Sequence, residues 1–172
     1  VTIRGYVVNG SCSTGGNDLG GKGTVEINDF QFLGGPGLNA TVRTLDIADS
    51  RFEGKLNVTA AGVVSVIGCD LVGNLSHSLQ ADSIYFEDNF VIGGDVSFSG
   101  IIDCTVTGND FYRDEENTGG DVWLNDPTGH TIFIGNVVIV MLTIDTDVSD
   151  GVALSVSRNS FLGIVRAMRD VD

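Results

Sequence analysis

Residues 84–93 read IYFEDNFVIG, and 20 positions later residues 104–113 read CTVTGNDFYR. The two share apolar residues at the first, third and eighth places and a Gly or Asp followed by Asn at the fifth and sixth. Working outward, the same design returns as VEINDFQFLG from Val25, LDIADSRFEG from Leu45, VSVIGCDLVG from Val64, TIFIGNVVIV from Thr131 and LSVSRNSFLG from Leu154. The starts are 20, 19, 20, 20, 27 and 23 residues apart. A repeat of this length marks a stack of small units, each unable to bury its apolar face alone.

With the first residue of each copy as position 0, the copies align into columns. Position 0 (Val25, Leu45, Val64, Ile84, Cys104, Thr131, Leu154) and position 2 (Ile27, Ile47, Val66, Phe86, Val106, Phe133, Val156) suit a strand with one buried face. Position 1 is mixed and faces outward. Position 4 (Asp29, Asp49, Gly68, Asp88, Gly108, Gly135, Arg158) and position 5 (Phe30, Ser50, Cys69, Asn89, Asn109, Asn136, Asn159) signal a bend, because Gly, Asp and Asn tolerate left-handed backbone angles. Apolar character resumes at position 7 (Phe32, Phe52, Leu71, Val91, Phe111, Val138, Phe161), and position 9 is Gly in five copies.

A chain that coils once per repeat stacks each column on itself at about 4.8 Å. The Phe column then becomes an aromatic stack and the Asn column a ladder of amides, each donor and acceptor for the next. The expectation is an all-β, single-stranded parallel β-helix of about seven coils, ~20 residues per coil, forming a rod on the order of 30–35 Å long. One domain covers 1–172: a cap or linking segment at 1–24, repeated coils at 25–163 and a cap or tail at 164–172. The interval of 27 implies about seven inserted residues between Asp114 and His130, and such loops decorate one face of a solenoid.

Composition narrows the partners. Hydrophobic residues make up 42% of the 172, enough for a core in one domain. Acidic residues number 23 against nine basic, for a net charge of −14. That surface repels nucleic acid and anionic membrane and fits a saline or divalent-rich exterior, although a high charge more often serves plain solubility than a function. The most apolar run, 132–144, is too short to span a membrane and contains Gly135 and Asn136. No signal peptide is visible and residue 1 is Val, so the sequence reads as a processed or trimmed piece. Three cysteines cannot all pair within one chain.

The repeated coils, with Asn at the bend and Phe-x-Gly after it as in Asn159-Ser-Phe161-Leu-Gly163, resemble right-handed parallel β-helix proteins of the pectate-lyase-like and bacteriophage tailspike-like group. The resemblance covers roughly Val25 to Gly163. It implies a right-handed coil and a membership that includes polysaccharide lyases, glycosidases, epimerases, tailspikes and capsid-decorating proteins, many of the viral ones homotrimers. None of that group's catalytic motifs can be placed on this chain. Separately, the opening Ile3-Arg-Gly5-Tyr-Val-Val-Asn-Gly-Ser-Cys12 resembles the start of a chaperone–usher pilin, which would imply an immunoglobulin-like strand order and a disulfide from Cys12.

Several clusters could carry chemistry. Glu26, Asp46, Asp29 and Asp49 fall in adjacent coils; paired carboxylates serve glycosidases as acid and base or nucleophile, and carboxylate oxygens hold Ca²⁺. The plainer account is that Asp suits a bend. Asp145, Asp147 and Asp150 lie in a run that partly matches a calcium loop, but its sixth and twelfth places are Asp150 and Val156 where an EF-hand needs Gly and Glu; a solvated turn is the alternative. Tyr112, Arg113 and Trp123 flank the insertion, where aromatics beside polar groups could stack sugar rings; otherwise Val122-Trp123-Leu124 is one more strand. His77 lacks a visible partner and reads as a surface or satisfied histidine. Cys69 and Cys104 sit in columns that should not meet, which predicts buried free thiols. Asn39, Asn57 and Asn74 begin sequons that matter only on a eukaryotic secretory route.

The functional expectation is a non-enzymatic structural or adhesive β-helix of a virion or other extracellular assembly, a homo-oligomer with a trimer favoured, binding surface polysaccharide or other subunits of the particle. No cofactor is expected, with Ca²⁺ the one candidate ion. The alternatives are a polysaccharide lyase or hydrolase of the same fold and a pilin-like subunit.

Overall fold

A computed structural model of the chain describes residues 2–5, 7–8, 11–13, 23–33, 37–73, 76–114, 120–125, 127–145 and 153–168. Strands separated by about 20 residues pair side by side and in parallel to give a β-solenoid of about six turns. The parallel ladders exclude the immunoglobulin-like strand order that the pilin resemblance implies.

Each turn of the solenoid contributes to three faces. The first face holds Thr24–Asn28, residues 44–48, residues 63–67, Ser83–Glu87, Asp103–Thr107, His130–Ile134 and Ala153–Ser157. The second is a separate 8-stranded sheet of short strands that includes Gln31–Phe32, Arg51–Phe52, Asp70–Val72, Phe90–Ile92, Asp110–Tyr112, Val137–Val138 and Ser160–Phe161. The third holds residues 37–42, residues 56–60, His77–Gln80, Val96–Ser99, Val122–Asn125, Leu142–Asp145 and Val165–Met168. Gly37–Ala48 and Leu56–Ile67, 12 residues each, run through the corner between the third and first faces, and a register shift between Val42 and Thr44 absorbs the turn. Ahead of the first repeat copy, Thr2–Arg4, Val7–Val8 and Ser11–Ser13 pair with strands of all three faces.

The columns expected from sequence are the core. From Val25 to Thr131, position 0 is at most 2% exposed, and so is position 2 from Ile27 to Phe133. Position 4 adopts the left-handed conformation in every copy: Asp29, Asp49, Asp88 and Arg158 have φ of 50–56°, and Gly68, Gly108 and Gly135 have φ of 63–71°. At Gly108 a glycine is also needed for room, because a Cβ there would collide with the Asp88 carboxylate of the coil before.

The Asn ladder forms as expected. The Nδ2 of Asn89 donates to Asn109 Oδ1 (3.0 Å), that of Asn109 to Asn136 Oδ1 (2.9 Å) and that of Asn136 to Asn159 Oδ1 (3.0 Å). Each amide does more. Asn109 Oδ1 also accepts the backbone N–H of Asn89, and Asn109 Nδ2 also donates to the carbonyl of Phe86 (2.8 Å). Cys69 and Ser50 continue the column with side chains that carry a single polar atom; the Ser50 hydroxyl accepts from Phe30 N–H and donates to Ala48 O.

The aromatic stack differs from expectation. Only Phe32 and Phe52 stack within the position 7 column, at 4.7 Å. From Phe86 onward the stack zigzags between columns: Phe86–Phe111, Phe111–Phe133 and Phe133–Phe161 have centroids 6.1–6.4 Å apart. The reason is volume. Positions 2 and 7 face each other across a narrow core, and the last four coils hold Phe86/Val91, Val106/Phe111, Phe133/Val138 and Val156/Phe161. Between these two columns each of the last four coils holds one ring, and its side alternates.

The insertion is divided. Residues 113–121 connect the second and third faces with nine residues where the preceding coil uses three, 93–95. Residues 126–129 add one more at the next corner, against 100–102.

Candidate functional site

Alternation in the short strands of the second sheet buries position 7 and turns positions 6 and 8 outward. In the second and third repeat copies these outward positions include the charges of Arg51, Glu53 and Asp70. Arg51 Nε and Nη2 each donate to Glu53 Oε1 at 3.1 Å, and Arg51 Nη1 lies 3.8 Å from Asp70. Farther along, the outward residues are Phe90, Ile92, Asp110, Tyr112, Val137, Ile139, Ser160 and Leu162, with Asp110 the one charge among them. Phe90 is 38% exposed and Leu162 77%, and the Phe90 and Tyr112 rings meet at 5.5 Å. An apolar stripe of this kind, on a chain with 23 acids, is a candidate interaction surface. Position 8 carries the signal in sequence (Leu33, Glu53, Val72, Ile92, Tyr112, Ile139, Leu162), but it emerges only once the strand phase fixes that column as outward.

Tyr112 therefore belongs to this stripe, and Arg113 follows it at the exposed start of the nine-residue connection. Trp123 does not join them. It projects from the third face, half-buried, between Ser97 and Thr143 in the ladder. The connection closes at Gly120, whose φ is +83° and where a Cβ would come within 2.7 Å of Tyr112 O. Acids staple this corner: Asp95 Oδ1 accepts Asp121 N–H (3.0 Å), and Asp121 Oδ1 accepts Met141 N–H (3.1 Å).

The acidic quartet separates into two pairs. Glu26 and Asp46 are direct neighbours on the outside of the first face, while Asp29 and Asp49 occupy the bend. Burial, and then the charge of Glu26, push the Asp46 carboxyl above its usual range. Thr2 Oγ1 donates to Glu26 Oε2 at 2.9 Å. Asp145 ends its strand beside Asn125 and Met168, whereas Asp147 and Asp150 lie outside the described residues. Among the described residues, no three His, Cys, Asp or Glu side chains group to hold a metal.

Cys69 and Cys104 are free and buried, with burial pushing both thiols up to about 12. His77 is not a surface residue. It is 2% exposed, faces inward, and accepts the Leu56 N–H at Nδ1 (3.2 Å).

No family model, no curated protein and no solved structure matches the chain.

Proposed function

We propose that the chain is a non-enzymatic structural or adhesive module of a virion or other extracellular assembly, of the right-handed, tailspike-, fibre- or capsid-decoration-like β-helix kind. It works through its outward second sheet, on which neighbouring copies pack, with a trimer favoured. The observation that carries this reading is the stripe of Phe90, Ile92, Tyr112, Val137, Ile139 and Leu162, almost free of charge on a chain of net charge −14. Copies that repel over most of their surface associate at least electrostatic cost through such a strip, and burial of apolar area drives the contact at about 25 cal/mol per Å². Multi-angle light scattering tests it. The wild type should run as an oligomer and the double variant Ile139→Asp/Leu162→Asp as a monomer with an unchanged circular dichroism spectrum. A wild type that stays monomeric at millimolar concentration removes the proposal.

One observation favours a second reading, a polysaccharide lyase or hydrolase of the same fold. Asp46, its carboxyl raised, stands beside Glu26 one rung away, roughly 5 Å along the ladder. A carboxyl of raised pKa beside a second carboxylate is the arrangement a glycosidase uses. Release of reducing ends or unsaturated products from acidic polysaccharides, abolished by Asp46→Asn, would establish it.

A further inference from the structure

The inward column that opens the third face reads Leu38, Leu56, His77, Val96, Val122, Leu142. One imidazole replaces an aliphatic side chain at the middle of the rod. The backbone bonds of this column show why it is not a neutral replacement. The N–H of Leu38, His77, Val96, Val122 and Leu142 each donates to a carbonyl of the following coil, Lys55, Asp95, Asp121, Met141 and Ile164 respectively, at 2.7–2.9 Å. Leu56 alone departs from the pattern and donates to the His77 side chain. With Nδ1 accepting, the neutral ring carries its proton on Nε2, which is buried and has no partner among the described residues.

We propose that His77 is an acid-sensitive latch, whose protonation withdraws the acceptor holding Leu56 and loosens the solenoid at its midpoint. A proton on Nδ1 sets donor against donor across a 3.2 Å contact and places a charge among hydrocarbon. Among the described residues no anion is placed to receive that charge. Across the core the first and second faces present Val64, Val66, Leu71, Ile84, Phe86 and Val91. Cys69 and Cys104 hold their thiols neutral to about 12. On the adjoining coils, Lys55 precedes Leu56 and opposes a positive ring, and Asp95 precedes Val96 with Oδ1 committed to the Asp121 N–H. Burial first, and Lys55 second, bring the imidazole from 6.5 down to about 4. The unfolded chain therefore binds the proton more tightly than the folded one. The stability contributed by the neutral ring is complete above pH 6.5, drains as pH falls toward 4 and is gone below it.

Urea unfolding at pH 7.5 and pH 5.0 tests the latch against His77→Asn, which puts Oδ1 where the ring holds Nδ1 but does not titrate. The wild-type unfolding constant should rise between these pH values by roughly 30-fold more than the variant's. Equal pH dependence overturns the proposal. Hydrogen exchange on the wild type provides a second readout that needs no variant. Corrected for the intrinsic rate, the amides of 56–60 and 77–80 should lose protection at pH 5 while those of 103–107 keep theirs. Uniform behaviour of the two sets also overturns the proposal.

Discussion

Asn109 accepts two hydrogen bonds at Oδ1 and donates two from Nδ2, so one side chain ties three coils together. Asn109→Ala should leave the Asn89 backbone N–H buried without its acceptor and break the side-chain ladder on both sides, at a cost of about 3–5 kcal/mol in urea unfolding. Asn159→Ala, at the half-buried end of the ladder, should cost about 1 kcal/mol, and equal losses would refute the cooperative ladder. Arg158 is the one long side chain in the left-handed column, at φ 56°. Arg158→Gly should stabilise by about 1 kcal/mol and raise Tm. Position 4 was legible because left-handed backbone selects a narrow residue class that shows through any copy, and position 5 because its amide must both donate and accept. His77 was not. Its meaning depends on the column it enters, and that column lies beyond the bend, where corners of unequal length blur the alignment.

Strands and corners obey volume as well as pattern. Phe111→Val should open a cavity costing about 3 kcal/mol, and the swap Val106→Phe/Phe111→Val should recover part of it by restoring one ring per coil. A double-mutant cycle with no coupling would show that the two columns do not share space. The sequence pattern contained the alternation of Phe86/Val91 with Val106/Phe111, but read column by column it suggested a single stack, because facing columns compete only once the core width is known. The insertion behaved similarly. Its length was countable from the interval of 27, while its division between 113–121 and 126–129 required the strand ends. Gly120→Ala should displace the connection from the Tyr112 carbonyl and destabilise by about 2–3 kcal/mol, measurable as a lower urea midpoint.

Over the whole molecule, charge and architecture act separately. The parallel solenoid was legible because every coil repeats one instruction. The apolar stripe was not legible, because its residues are ordinary members of a β-rich sequence until the strand phase turns them outward together. Charge opposes the compact state mildly. The folded-state pKa of Asp46 is raised, so the folded form gains on the unfolded one as pH falls through its titration. Asp46→Asn should therefore raise Tm at pH 7, with a smaller gain below pH 4.

The bends give this rod a direction. Gly5, Asp29, Asp49, Gly68, Asp88, Gly108 and Gly135 each donate their N–H to a carbonyl in the coil that comes later in the chain, and none points back. The bend donors of a coil thus wait on its successor, while, two residues on, Arg51, Asp70, Phe90, Asp110, Val137 and Ser160 donate back to the coil before. As a ribosome releases the chain from its amino end, the newest coil is a growth front whose donors already mark where the next carbonyls must settle. Assembly becomes vectorial, closer to the elongation of a crystal than to the collapse of a globule.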